Sequence, residues 1–169
     1  MEPPYEEQML LNGYQIIESH PLYGRLNGNI YMKHKNLSGK GSMASVDRKG
    51  NIYLNFTAKA TPKEWAYCIA HCLLHLAFGH FDKDNLPDEG MNLNIGLWAK
   101  ACDIYIAQFL ADTDFGEAIV PDPKKKYSIK LTEEKKIYRH LIYEGDDGAL
   151  QEYGINGTAV DMIGLEHPI

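Results

Sequence analysis

Apolar residues recur at spacings of three and four in several segments of the chain, the pattern typical of amphipathic helices. The predicted helices cover residues 5–19, 62–79, 93–112 and 132–143. The start of the second is marked by Thr61 as N-cap, Pro62 in the first turn and Glu64 placed to complete a capping box. The first is expected to end before His20-Pro21, because the residue before a proline disfavours helix.

Alternating apolar and polar positions predict strands rather than helices in residues 43–56. Two such runs lie on either side of Asp47-Arg48-Lys49-Gly50, a turn in which glycine supplies the positive φ of a hairpin. The preceding Gly- and Asn-rich segment is expected to be loop with one edge strand near Ile30 and Met32. Residues 145–169 are expected to be loop with one short strand.

These elements predict an α+β fold in a single domain spanning residues 1–169. We expect a small mixed or antiparallel sheet, including the 43–56 hairpin, packed against the 62–79 and 93–112 helices, with further helices at the N- and C-terminal ends. A chain of 169 residues is long enough to bury a sizeable core without the help of a metal.

Composition narrows the class of protein. Hydrophobic residues make up 44% and charged residues 24%, as in ordinary globular proteins. The net charge of -6 gives no basic surface on average, which counts against nucleic acid as a partner. No apolar run reaches the roughly 18 residues of a membrane span, the N-terminus lacks the form of a signal peptide, and the three cysteines do not suggest a disulfide framework. The prediction is a cytoplasmic protein.

Residues 70–80 read A-H-C-L-L-H-L-A-F-G-H and carry three histidines in an otherwise apolar helix. His71 and His75 lie about 40° apart around such a helix, so both can present a ring nitrogen to one ion. An arbitrary pair of this kind is more often found on a solvated helix face. Here the helix is apolar nearly all round and is predicted to be buried, and two buried imidazoles need polar partners.

A zinc site needs a third protein ligand, and two candidates follow from the sequence. His80 can ligate only if the helix breaks at Gly79, since a continuous helix would turn it away from His71. Asp103 interrupts the apolar run W-A-K-A-C-D-I-Y-I-A-Q-F-L, where a buried carboxylate requires a cation or strong hydrogen-bond donors. A backbone cap or a pair with Lys100 is the alternative explanation for Asp103.

These motifs, in this order, resemble a known family. They are P-L-Y-G-R-L at 21–26, the V-D-R-K-G-N-I-Y-L-N hairpin, the histidine helix, A-C-D-I at 101–104 and E-K-K-I-Y-R-H-L at 134–141. From about residue 9 to 145 the chain is similar to the metallopeptidase domain found at the N-terminus of bacterial von Willebrand factor A-like proteins, which is often associated with MoxR-type ATPases.

The resemblance implies a zincin-like fold, a bound zinc ion and peptidase activity on a protein or peptide. It implies His71 and His75 as zinc ligands, with Asp103 or His80 completing the set, and a MoxR-type ATPase or a von Willebrand factor A domain as a partner. The chain departs from the family where the catalytic glutamate is replaced by Cys72. A thiol is a poor replacement for that base, because it ionises only near pH 8.5 and its soft sulfur can itself bind zinc.

Four functions remain open from the sequence. A hydrolase could take its base from the loop carboxylates Asp82, Asp84, Asp88 and Glu89, although a solvated loop is the simpler interpretation. A catalytically inactive zincin-like interaction module follows from the missing glutamate.

The other two rest on different features of the same helix. A metal-dependent endoribonuclease is indicated by likeness to the H-G-x-L-H-L-x-G-x-D-H helix of enzymes that mature ribosomal RNA, although the third histidine here comes one residue early. A closed structural zinc site would use Cys68, Cys72 and Cys102 with the histidines; small-residue core packing is the simpler interpretation of Cys68 and Cys102.

Overall fold

The computed structural model describes residues 2–27, 31–34, 43–87, 93–120, 122–123 and 133–144, with residues 31–34 and 144 described by their backbone alone. The helices are α1 (Tyr5–Ser19), α2 (Tyr23–Asn27), α3 (Pro62–Ala77), α4 (Ile95–Thr113) and α5 (Glu134–Glu144), and a 3-10 turn spans Lys83–Asn85. The strands are β1 (Tyr31–His34), β2 (Ala44–Val46) and β3 (Asn51–Leu54). The predicted α+β class is confirmed. The prediction for residues 145–169 lies outside the described residues.

A mixed sheet of three strands forms in the described part of the chain, in the order β1-β3-β2. β2 and β3 pair antiparallel around the predicted turn, where Gly50 has φ 88°, and β1 adds to β3 in parallel. The buried carboxylate of Asp47 fixes the turn by accepting hydrogen bonds from the backbone N–H groups of Lys49 and Asn51. The hairpin and the edge strand are both confirmed.

Helix α3 is the central element of the core. Its first turn carries the predicted capping box, in which Thr61 Oγ1 accepts from Glu64 N–H and the Glu64 carboxylate accepts from Thr61 N–H. Every residue from Trp65 to His75 is buried. Because no side of this segment faces water, each polar side chain on it must find its partner inside the protein.

Helix α1 crosses α3 at very short range, and Gly13 makes this possible. A Cβ atom built on Gly13 would lie 2.5 Å from Trp65 Cβ and 2.7 Å from the Pro62 carbonyl oxygen. A glycine inside a helix is unfavourable by local propensity, so its place here is explained by packing and not by backbone conformation.

Helix α2 lies in a segment for which the sequence predicted loop. The His20 ring takes the place of an ordinary N-cap, since its Nδ1 atom accepts from the N–H groups of Leu22 and Tyr23 at 3.2 and 3.4 Å. The Tyr23 ring is buried against His20 and Phe115. Histidine is not among the residues that usually signal a helix start, which is why the pattern did not predict this turn.

Helix α4 packs alongside α3, and α5 packs against α4. Ile137, Tyr138 and Leu141 form the buried stripe of α5, and the Tyr138 hydroxyl accepts a hydrogen bond from the N–H of Asn94, the N-cap of α4. Helices α3, α4 and α5 therefore form a three-helix layer, with α4 between α3 and α5.

The described helices include none with the length and apolar character needed to cross a membrane.

We predict that Gly13→Ala lowers the free energy of unfolding by about 1–3 kcal/mol, the usual effect of overpacking a core. Gly96→Ala is the control, because it also lies in a helix but, among the described residues, its added Cβ would have only Asn94 Oδ1 nearby, at 3.4 Å. Urea denaturation would measure both. A Gly13→Ala protein as stable as the wild type would contradict the packing argument.

Candidate metal centre

Two histidines of α3 and one aspartate of α4 bring three ligand atoms to one point. His75 Nε2 lies 2.9 Å from Asp103 Oδ1 and 3.0 Å from His71 Nε2, and His71 Nε2 lies 3.2 Å from Asp103 Oδ1. His71 and His75 are 0% exposed and Asp103 is 1% exposed. The one-turn spacing on α3 and the side-by-side packing of the two helices produce the set predicted from the sequence.

Hydrogen bonds alone cannot satisfy these three contacts. An ionised carboxylate has no hydrogen to donate, and a neutral imidazole has one, on either of its nitrogens. If both rings carry their hydrogen on Nε2, both can donate to Asp103 Oδ1, but the 3.0 Å contact between the two nitrogens is then between two donors. If only one ring does, the other ring's contact with Asp103 has no donor. A cation between the three atoms would satisfy all of them.

The distances are close to those of a tetrahedral site. Zinc bonds of about 2.0–2.1 Å separate neighbouring ligand atoms by about 3.3–3.4 Å. The observed separations of 2.9–3.2 Å require the ligands to move apart by only a few tenths of an ångström. The three side chains therefore fit a zinc ion and can hold it with one position left for a further ligand.

The protonation states also suit a metal. Burial, with the repulsion of the neighbouring histidines, lowers the pKa of His75 to about 3 against the effect of Asp103, so the ring is neutral at pH 7. Burial acts to raise the pKa of the Asp103 carboxyl, yet the two imidazoles beside it bring the pKa below its ordinary value. Neutral imidazole and ionised carboxylate are the forms that bind divalent metals.

Two buried polar atoms of the same side chains have no hydrogen-bond partner in the described part of the chain. They are His71 Nδ1 and Asp103 Oδ2. Leaving such atoms unpaired costs free energy, so a purely structural hydrogen-bond cluster would be poorly satisfied here.

His80 is brought back to the cluster by the turn that ends α3. The N–H of Gly79 bonds to the Leu76 carbonyl and the N–H of His80 to the His75 carbonyl, which is the Schellman arrangement, and Gly79 has φ 66°. The helix thus breaks at Gly79, which is the condition under which His80 could ligate. It places His80 Nδ1 3.0 Å from His75 Nδ1, on the nitrogen opposite the convergence point. His80 as a direct metal ligand stays a prediction.

Glu134 extends the cluster toward the surface. It precedes Ile137 and Tyr138 on the buried stripe of α5, and its Oε1 lies 2.9 Å from His80 Nε2. Burial acts to raise the pKa of its carboxyl, but the hydrogen bond to His80 and neighbouring positive charge lower it overall. In the sequence Glu134 stands out only as part of the E-K-K-I-Y-R-H-L motif, and no pattern there assigns it to the site.

The thiols lie apart from the convergence point. Cys72 is fully buried in the apolar core with Cys68, whose thiol it contacts, and Cys102 packs with the core between α4 and α5. Burial raises the pKa of the Cys68 and Cys102 thiols, which disfavours the thiolate form that binds metal. In the described residues the one group of three ligand-type side chains is His71, His75 and Asp103.

The positions of the loop carboxylates do not support a role for them as catalytic bases. Asp82 and Asp84 are exposed in and beside the 3-10 turn, as the solvated interpretation predicted. Asp88 and Glu89 lie outside the described residues.

No protein-family model, no curated protein and no solved structure matches this chain. The site itself therefore carries the functional argument.

Proposed function

We propose that the protein is a zinc-binding domain in which the metal joins α3 to α4 through His71, His75 and Asp103. The observation that carries this proposal is the buried triangle of ligand atoms at 2.9–3.2 Å, whose three contacts hydrogen bonds cannot all satisfy and a cation can. Two imidazole nitrogens and one carboxylate oxygen suit zinc, although they also suit iron(II), so the metal is to be identified by analysis.

The site is better suited to holding a metal than to hydrolysis. All three ligands are closed off from solvent, and the position that carries the catalytic glutamate in the resembling family is the buried Cys72. Within the described residues the metal group includes no second carboxylate that could take a proton from water. A zincin-like interaction module that keeps a metal without the reaction is the function that fits these features.

A metal-dependent hydrolase, by resemblance a peptidase acting on proteins or peptides, is the second candidate. The observation in its favour is the number of ligands, because catalytic zinc sites have three protein ligands while structural sites have four. Bound zinc would supply a polarised carbonyl and a more acidic water, while this chain's residues would hold the metal in place. A MoxR-type ATPase or a von Willebrand factor A domain is the partner proposed on resemblance alone.

Purified without a His-tag or chelator, the protein is predicted to contain about one zinc per chain, and His75→Ala is predicted to contain none. Elemental analysis covering all first-row transition metals would measure this. His140→Ala is the matched control, because it removes a histidine of α5 that lies outside the convergent group.

Zinc binding should also stabilise the folded protein. Zinc at about 100 times its Kd should raise the free energy of unfolding of the metal-stripped wild type by about 2.7 kcal/mol, and the increase should vanish in a folded His75→Ala protein. Equal zinc content in His75→Ala and wild type would contradict the site. Iron in place of zinc would support the proposed ligands and contradict the proposed metal.

Cys72→Glu separates the two candidates. If the missing base is all that prevents hydrolysis, zinc-loaded Cys72→Glu should cleave an unfolded protein substrate, because the new carboxylate follows His71 directly on α3. Cys72→Gln is the control of equal size without the charge. A Cys72→Glu protein that binds one zinc and cleaves nothing would count against the hydrolase.

A further inference from the structure

A row of three hydrogen-bonded side chains connects the metal position to the protein surface. His75 Nδ1 lies 3.0 Å from His80 Nδ1, and His80 Nε2 lies 2.9 Å from Glu134 Oε1. His75 and His80 are 0% and 1% exposed, while Glu134 is 22% exposed. Each contact has hydrogen-bond length, so each needs one donor and one acceptor.

The carboxylate determines the direction of this row. Glu134 as a carboxylate can only accept, so His80 must carry its hydrogen on Nε2. A neutral His80 then has a bare Nδ1, and the hydrogen of the next contact must come from His75 Nδ1. A neutral His75 with hydrogen on Nδ1 has a bare Nε2, the atom that faces Asp103 and His71.

We propose that Glu134 and His80 are positioning residues that hold His75 in the tautomer whose bare Nε2 faces the metal position. This inference rests on the proposed zinc site and assigns two residues that act on it from behind a ligand. Partners of this kind commonly fix the ring orientation and basicity of metal-bound histidines.

The backbone is built to maintain the row. The Schellman turn puts His80 three residues past the end of α3, with its ring against His75, where such turns usually have an apolar contact. The indole N–H of Trp98 donates to the His80 carbonyl at 3.4 Å, and the bond between Tyr138 and Asn94 holds the start of α4 against α5. These bonds hold the His80 backbone and the start of α4 in place, and the His80 ring packs edge-on against the rings of His75 and Trp98.

The tautomers can be measured directly on the metal-free wild type. Long-range proton–nitrogen correlation spectra of the histidine rings should show His75 protonated at Nδ1 and His80 at Nε2, with His80→Gln and His75→Ala providing the assignments. His75 protonated at Nε2, or His80 protonated on both nitrogens, would overturn the proposal, because either would reverse the direction.

Glu134→Gln tests whether the Glu134 carboxylate determines which nitrogen of His75 carries the hydrogen. A glutamine of the same size can accept from His80 through its oxygen or donate through its NH2 group, and the second arrangement puts a hydrogen on His75 Nε2. Zinc affinity, measured by competition with a chromophoric chelator, should fall about 10- to 100-fold. The metal-free spectra should show a mixture of His75 tautomers.

Glu133→Gln is the matched control. Glu133 is the preceding residue, is 61% exposed and lies 3.5 Å from Lys136 Nζ, so its replacement removes the same charge without touching His80. Its zinc affinity should equal that of the wild type.

The failure of this inference can be told from the failure of the zinc site. A wild type that binds no metal contradicts the proposed function. A wild type that binds zinc while Glu134→Gln binds it equally well, with unchanged tautomers, leaves the site intact and overturns the role of Glu134.

Discussion

The carboxylate of Asp103, 1% exposed and 2.9 Å from His75 Nε2, is the group on which the arrangement of the helices depends. Removing an ionised carboxylate from water is costly unless opposite charge or good donors surround it. Neutral imidazoles meet that need only in part, and a divalent cation meets it fully. The rest of the local structure can be understood as what is required to keep two histidines facing this one oxygen.

Each support for the histidines comes from an ordinary feature of helices. The capping box fixes where α3 begins, and His71 and His75, one turn apart on it, both face Asp103 of α4. The left-handed Gly79 ends α3 and returns the chain over His75. Glu134 contacts His80 because it lies on the same face of α5 as Ile137 and Tyr138, which the 3.6-residue helical period places toward the core. The start of α3, the turn that ends it and the apolar face of α5 therefore build the cluster together.

Much of this could be predicted from the sequence because it depends on local rules. The bounds of α1, the hairpin turn, the start of α3 and the break at Gly79 follow from caps, periodicity and glycine conformation. Asp103 was found because a charge in an apolar run needs a partner. Glu134 carries the same signal more weakly, an acid on the apolar stripe of a short amphipathic helix, and was not recognised. Helix α2 was missed because its stability comes from the packing of Tyr23 and a histidine cap, which no sequence period reveals.

X-ray absorption at the zinc edge of the reconstituted protein would identify the ligand atoms, because zinc–sulfur bonds are longer than zinc–nitrogen and zinc–oxygen bonds. If His71, His75 and Asp103 bind the zinc, the spectrum should show nitrogen and oxygen ligands at about 2.0–2.1 Å, the outer-shell signal of two imidazoles and no sulfur. A zinc–sulfur distance of about 2.3 Å would contradict it. That result would make the cysteines, and not Asp103, the partners of the histidine helix.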